Sequence, residues 1–175
     1  MSKHFVFFGL VTTIATLLNG CVGVTLLPFP FDPGGRSLNS PFSDLSPRIA
    51  GRYIVFASDR RGTQDIYLYD TVEQRLLNLP GLNSLDLMAS NPAVSDNGRF
   101  IVFAGSRQGM TGIYLYDRDF RQLRNLTETI RAEVRNPTIS ADGATIAFES
   151  NARGQWDILL YNRAGQPLAV PTDPN

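Results

Sequence analysis

Beyond residue 21 the chain contains no histidine, no lysine and no cysteine. Its only copies of these residues are Lys3, His4 and Cys21, in a sequence of 175 residues. Serine–histidine and cysteine–histidine nucleophile pairs, Schiff-base lysines and histidine–cysteine zinc sites are therefore excluded from this part of the chain. Any catalysis would have to use Asp, Glu, Tyr, Ser or Arg. We expect no catalytic residue, no metal and no cofactor.

The chain also lacks an excess of charge of either sign. It has 16 basic and 16 acidic residues, and residues 1–20 contain one of the basic residues and none of the acidic ones. The remainder therefore has 15 basic against 16 acidic residues, a net charge of −1. Binding to nucleic acid needs a basic surface, so the composition excludes a nucleic-acid partner.

The first twenty residues have the pattern of a signal peptide. Lys3 provides a basic start, and an apolar run from Phe5 to Leu18 follows that is too short to span a membrane comfortably. An uncleaved anchor helix and an ordinary signal peptide with a chance cysteine are the alternatives.

Residues Leu18-Asn19-Gly20-Cys21 resemble the cleavage motif of bacterial lipoprotein precursors. The resemblance implies cleavage before Cys21, lipidation of Cys21 and attachment to a membrane on the periplasmic side of the cell envelope. Val22 stands where an aspartate would favour the inner membrane in enterobacteria, so the outer membrane is favoured.

Residues 21–43 are predicted to form a tether between the lipid and the folded domain. Prolines and glycines at this density prevent a helix and favour extended or turning backbone. They are Pro28, Pro30, Pro33, Gly34, Gly35 and Pro41.

Three copies of a repeat of about 45 residues fill the rest of the chain, residues 44–175. Pro47, Pro92 and Pro137 recur at a spacing of 45 residues. The copies cover about 44–88, 89–133 and 134–175, and each is predicted to form four short strands. Fourth strands are expected at 75–79, 122–126 and 166–170.

The second and third strands of the repeat indicate the architecture. In Ile54 to Phe56 and in Ile101 to Phe103, consecutive residues are apolar. Successive side chains of a strand point to opposite faces, so these sheets are covered on both sides. A four-stranded antiparallel sheet buried on both faces and repeated every 45 residues describes the blade of a β-propeller. The predicted fold is all-β, a partial propeller of three blades.

The repeat resembles that of TolB and its relatives. The pattern is carried in the third copy by Asn136-Pro137, Ser140, Asp142-Gly143, Ile146 to Phe148, Arg153-Gly154 and Asp157-Ile158, and in the second copy by Asn125-Leu126-Thr127. The resemblance covers about 130 residues and implies the TolB-like propeller fold, with a role in envelope maintenance or transport-associated binding. TolB itself looks like an α/β domain followed by six blades, so the resemblance does not extend to the whole of that protein.

Three blades are too few to close a ring, because propellers need about four to eight. Two copies could form a six-bladed ring as a homodimer, each first blade meeting the last blade of the partner. The alternatives are an open arc capped by the apolar tether and a fragment of a longer ancestral gene. All three stay open on the sequence alone.

Two groups of residues are candidates for a site or for a structural role. Arg60, Arg107, Arg153 and Trp156 lie near one predicted rim and could bind a partner. The alternative for the arginines is to fix their own turns, and for Trp156 to pack in the core. Asp96, Gly98, Asp142 and Gly143 lie in hairpin turns, where Asp bonds its own turn and Gly accepts φ > 0.

The function that the sequence favours is non-enzymatic: a lipid-anchored scaffold that binds envelope proteins, as yet unidentified, through a propeller surface. The alternative is a propeller that binds glycans, or cleaves them as a lyase or hydrolase. Cleavage would need carboxylates, or Tyr and Arg, converging in the channel, and the sequence offers no tight pair.

Overall fold

The computed structural model of the chain describes residues 32–170. The predicted signal peptide, Cys21 and the start of the tether lie outside the described residues. Eleven strands form three antiparallel sheets within the described range, in sequence order, and each sheet is one blade. No helix between residues 32 and 170 is long and apolar enough to cross a membrane.

The strands follow the order expected of propeller blades. Blade 1 contains β1 to β4, blade 2 contains β5 to β8, and blade 3 contains β9 to β11. Their bounds are β1 Asp44–Ala50, β2 Tyr53–Ser58, β3 Asp65–Asp70, β4 Arg75–Leu77, β5 Met88–Val94, β6 Phe100–Arg107, β7 Met110–Asp117, β8 Gln122–Asn125, β9 Val134–Ile139, β10 Thr145–Ser150 and β11 Asp157–Asn162. The predicted all-β class and the partial three-bladed propeller are confirmed.

Blade 3 differs from the other two at its outer edge. Its fourth predicted strand, 166–170, is reduced to one β-bridge between Tyr161 and Pro167, together with a hydrogen bond from the Leu168 N–H to the Leu160 carbonyl oxygen, 2.7 Å long. Pro167 has no N–H to donate, so a regular ladder cannot continue through it.

The recurring prolines mark a β-bulge in the first strand of every blade. The residues before them, Ser46, Asn91 and Asn136, all have φ near +50°, and the register between the first and second strands shifts at this point in each blade. Asn, present in two of the three blades, tolerates this left-handed backbone better than most residues do. The recurring proline in the sequence therefore marks a bulge in each blade as well as the position of its first strand.

Two apolar clusters form the core, one at each junction between blades. The first combines side chains of blades 1 and 2, and the second combines side chains of blades 2 and 3. In each junction, the second and third strands of one blade pack on the first strand of the next.

The predicted turn glycines are required by this packing. Gly98 and Gly143 have φ of 68° and 72°, and a Cβ atom on either would lie 2.5 Å from the ring of Tyr53 or Phe100 in the preceding blade. Hairpin turns of one blade therefore rest on aromatic rings of the blade before it.

Candidate functional site

Because the blades stack in sequence, the described chain has one sheet face at each end without a blade beside it. The N-terminal end face belongs to blade 1 and contains Ile54, Phe56, Tyr67 and Tyr69, which alternate with the residues packed on blade 2. The C-terminal end face belongs to blade 3 and contains Ala147, Glu149, Ile158 and Leu160, which alternate with the residues packed on blade 2. These two faces are where a partner could add to the propeller.

Arg60 covers the N-terminal end face together with residues 32–44, and we call this group the N-terminal cap. The Arg60 guanidinium carbon lies 5.1 Å from the ring centroid of Phe56 and 4.7 Å from that of Tyr67. The Arg60 side chain is only 4% exposed. As a result both rings are buried, although no blade precedes them in the described part of the chain.

All five N–H donors of Arg60 are used inside the molecule. Its Nε donates to the Ser58 hydroxyl oxygen at 3.1 Å, and its terminal nitrogens pair with Asp44. They also donate to three carbonyl oxygens of the cap, those of Gly35 at 3.0 Å, Ser37 at 2.9 Å and Leu38 at 3.2 Å. A guanidinium has five donors, so the buried charge is fully satisfied and joins the cap to blade 1.

Asp44 and Asp32 hold the cap in place at its two ends. Burial alone would raise the pKa of Asp44, but hydrogen bonds from Arg60, Ser58 and Ser40 outweigh it and keep that pKa below its usual range. At the other end, the Asp32 carboxylate accepts the backbone N–H groups of Gly34 and Arg36, each at 2.8 Å. The cap is therefore a closed local structure that its own side chains stabilise.

Arg107 and Arg153, the aligned arginines of the other blades, have different environments. Arg107 is half exposed, with its Nε 3.0 Å from the Asp86 carboxylate. Arg153 is exposed, and within residues 32–170 it forms no hydrogen bond or ion pair. No contact within this range joins the three arginines directly. Their role in partner binding stays a prediction.

The C-terminal end face is exposed, and the largest difference from the other blades is at Ile158. Ile66 and Ile113 occupy the same register position in blades 1 and 2, opposite Ala57 and Ala104. They are 1% and 0% exposed, whereas Ile158 is 62% exposed. The first two are covered by the blade that follows, and no described blade follows Ile158.

Polar residues surround Ile158 on this face. Glu149 replaces the alanine of the first two blades, and its carboxylate accepts hydrogen bonds from Arg135 at 2.6 Å and Asn136 at 3.0 Å. The hydrogen bond from Asn136, followed by that from Arg135, lowers the pKa of Glu149. Trp156 is 40% exposed, and the Arg135 guanidinium carbon lies 3.7 Å from its ring centroid. Trp156 thus lies at the surface of the end face.

The turn aspartates differ in what their side chains do. Asp142 accepts the Ser140 hydroxyl at 2.5 Å and the Ala144 N–H at 2.9 Å. In blade 2 the same bonds are made by Asn97, at 2.7 Å to Ser95 and 3.0 Å to the Arg99 N–H. The predicted turn residue Asp96 instead uses its backbone N–H, which donates to the carbonyl oxygen of Ala141 in blade 3.

The sequence reasoning missed a second repeated feature, an arginine before the second strand that pairs with an aspartate ending the third. Arg52 pairs with Asp70, and Arg99 pairs with Asp117 at 2.9 Å. Hydrogen bonds from Arg52, assisted by backbone N–H groups, hold the pKa of Asp70 at about 2. The repeated Arg and Asp at fixed offsets were the available signal. No group of three or more His, Cys, Asp or Glu within residues 32–170 could hold a metal ion.

No family model matches this sequence, and no curated protein matches it. Solved propeller structures do resemble it. TolB from Acinetobacter baumannii is 24% identical, with a TM-score of 0.59 over 74% of this chain and 32% of that chain. A putative TolB from Agrobacterium tumefaciens is 23% identical, with a TM-score of 0.54 over 65% of this chain and 40% of that one.

The β-propeller domain of the Trilobed protease from Pyrococcus furiosus, described as having an open velcro topology, is 12% identical. Its TM-score is 0.55 over 73% of this chain and 42% of that chain. The chain thus spans less than half the length of each of these structures. At these identities the likeness shows the fold, and the expected TolB-like propeller fold is confirmed.

Proposed function

We propose that this chain is a non-enzymatic, lipid-anchored protein of the cell envelope that binds another protein through the C-terminal end face. The observation that carries the proposal is the exposure of Ile158, since the equivalent isoleucines of the other blades are fully buried. An apolar side chain at the centre of a sheet face that is built for packing marks an interaction surface.

The occupant that the geometry favours is a protein offering an apolar β-strand. At both junctions within the described chain, the equivalent face receives the first strand of the following blade. A partner strand laid across Ile158 and Leu160 would repeat that packing, and strand-mediated recognition of this kind recurs among protein complexes.

Two differences from the other blades, one to a smaller and one to a charged residue, favour a reversible complex at this face. Ala147 stands where the first two blades have valine, and Glu149 stands where they have alanine. Both changes make the face less apolar than an internal junction, and permanent interfaces are more hydrophobic than transient ones. Trp156 and Arg135 at its edge are residue types enriched at the centres of protein interfaces.

Photo-crosslinking tests this surface. A photoreactive residue at position 158 should capture one partner in cells, whereas the same residue at Val72, an equally exposed apolar position on blade 1, should not. The captured protein, once purified, should bind the chain at least about 10-fold more weakly after Ile158→Asp, and Val72→Asp should have no effect. Equal capture at both positions, or unchanged affinity after Ile158→Asp, would refute the proposal.

Attachment to the envelope is a separate part of the proposal and rests on the sequence of residues 1–21. Growth with labelled palmitate should label the protein, and Cys21→Ser should abolish the label and release the protein from the membrane fraction. An unlabelled protein that stays in the membrane after this change would favour an uncleaved anchor instead.

A six-bladed ring of two copies is the alternative assembly. It would bring the partner's C-terminal end face onto Phe56 and Tyr67, where Arg60 and the cap already lie. The cap therefore favours the open, monomeric arrangement. Light scattering of the Cys21→Ser chain decides between them, because a ring requires twice the mass of one chain.

A further inference from the structure

A cavity of about 600 Å³ lies between the N-terminal cap and the outer edge of blade 1. Cap residues 33–36 line one side, and strand β4 with the loop that follows it, residues 76–83, lines another. A cavity of this size accommodates a small organic molecule. It is distant in sequence and fold from the C-terminal end face, and its function is independent of the one proposed above.

The charged residues that line the cavity are all basic. They are Arg36, Arg60 and Arg61, and none of the lining residues is an aspartate or glutamate. Asp44 neutralises Arg60. Arg36 and Arg61 are exposed, and neither forms an ion pair or a side-chain hydrogen bond with any residue from 32 to 170. Asp32 and Asp65 act on them only through longer-range attraction, so both guanidinium groups keep their donors available to a ligand.

Tyr67 also lines the cavity, and its hydroxyl is buried and unused. Its side chain is more than nine-tenths buried, and its hydroxyl has no hydrogen-bond partner among the described residues. Burial raises the pKa of this hydroxyl, so it remains a proton donor. Arg61 is exposed, and its guanidinium carbon lies 5.9 Å from the Tyr67 ring centroid. Side chains often change rotamer on binding, and such a change is required for a ligand to reach the hydroxyl.

Asparagine, glycine and apolar residues form the remaining walls. Phe42, Leu76 and Pro80 line the cavity, and Phe42 is half exposed. The combination of two unpaired guanidinium groups, a buried hydroxyl donor and apolar side chains sets the chemistry of a ligand. It must present oxygen acceptors with negative charge at one end and an apolar group at the other.

We infer that this cavity binds a small amphipathic oxyanion, a carboxylate or a phosphate carried on an apolar group. Arg36 and Arg61 would donate charge-assisted hydrogen bonds to the oxyanion, whose planar or tetrahedral oxygens suit the guanidinium fork. The Tyr67 hydroxyl would donate to one ligand oxygen, and the apolar group would pack against Phe42 and Leu76.

Calorimetric titration of the purified full chain tests the site with three probes: N-acetylphenylalanine, its uncharged amide, and phenyl phosphate. At least one of the two anions should bind about 10-fold or more tightly than the amide. Binding of the carboxylate alone points to an organic acid or a peptide terminus, and binding of the phosphate alone points to a phosphate ester such as a lipid headgroup. Failure of both anions to bind, or equal binding of the amide, overturns the inference.

Three variants link the binding to these residues. Arg36→Gln combined with Arg61→Gln should abolish anion binding, and Arg131→Gln, at an exposed arginine far along the chain, should leave it unchanged. Tyr67→Phe should weaken binding several-fold and leave the unfolding midpoint in place, because its hydroxyl has no hydrogen-bond partner among residues 32–170. Anion binding that survives the double variant would show that the cavity is not the site.

Discussion

At the N-terminal end face, Phe56 and Tyr67 lie buried beneath an arginine and a stretch of the chain's own backbone. At the C-terminal end face, Ile158 is 62% exposed and Trp156 lies open beside it. The two faces belong to blades of the same repeat and have the same strand order. The two faces differ in whether other described residues of the chain cover their apolar side chains.

The N-terminal cap shows how a charged side chain can cover an apolar face. The planar guanidinium of Arg60 lies over two aromatic rings, and its edge carries five donors that meet five acceptors. An unpaired buried charge would destabilise the fold, but a fully hydrogen-bonded one is tolerated. At the other end no such cover is described, and two positions of the face have become smaller or charged instead.

We expect the largest effect on stability from removing the Arg60 side chain, which covers the N-terminal end face. Arg60→Ala should lower the free energy of unfolding by about 3–5 kcal/mol, because it removes the buried ion-pair partner of Asp44 and the donor to three carbonyl oxygens of the cap. Arg107→Ala changes the aligned residue of blade 2, which is half exposed, and should cost less than about 1 kcal/mol. Urea unfolding of both variants measures the difference. Similar costs would show that the cap contributes little.

A second comparison concerns the equivalent isoleucines. Ile113→Ala should lower the free energy of unfolding by about 2–5 kcal/mol, since Ile113 is fully buried at the junction of blades 2 and 3. Ile158→Ala should change it by at most about 0.5 kcal/mol. Thermal or urea denaturation of the two variants checks this. A large loss on Ile158→Ala would mean that the face is covered in solution.

The pH dependence should differ between the first and last blades. The folded pKa of Asp70 is about 2, below its unfolded value near 3.9. The stability it contributes is therefore fully present above pH 4 and is lost as the pH falls through 2. The equivalent residue of blade 3 is Asn162, which does not titrate.

This expectation is checked by measuring the urea midpoints of the parent chain and of Asp70→Asn at several pH values between 5 and 2. The difference in stability between the two proteins should shrink as the pH falls. A difference that is constant over this range would contradict the pKa assigned to Asp70. Asn162→Ala serves as a control, because its difference from the parent chain should not vary with pH for this reason.

We expect only a small effect on stability from replacing Glu149. Its pair with Arg135 is partly exposed, so Glu149→Ala should change the free energy of unfolding by less than about 1 kcal/mol. The substitution restores the alanine of the other blades and makes the C-terminal end face more apolar. Light scattering at increasing concentration should then show more self-association than the parent chain. Unchanged association would indicate that Glu149 does not protect this face.

The sequence predicted the fold well because the repeat is periodic. The prolines at a spacing of 45 residues and the consecutive apolar residues of β2 and β6 marked the blades and their two buried faces. The role of Arg60 could not be predicted, because its bonds reach carbonyl oxygens 22 to 25 residues away, and backbone carbonyls leave no residue pattern. By sequence alone Arg60 and Arg107 look equivalent.

The candidate site was predicted only in outline. The count of three blades indicated that a face would be open, but Trp156 was identified only as a residue near a rim, beside the three arginines. The polar cluster of Glu149, Arg135 and Asn136 was missed, because Arg135 and Glu149 meet through strand pairing between β9 and β10. Residues that pair across two strands can be predicted from a sequence only when the strand register is known. The bulge beside Pro137 changes that register.

Hydroxyl-radical footprinting of the native protein tests the difference between the two end faces most directly. Oxidation of each residue is measured by mass spectrometry and compared with that of the same residue in the urea-unfolded chain. Phe56 and Tyr67 should be strongly protected, while Trp156 and Ile158 should react at a large fraction of their unfolded rates. Reaction of Tyr67 at a rate near its unfolded value, or strong protection of Ile158 in the isolated chain, would contradict a covered N-terminal and an open C-terminal end face.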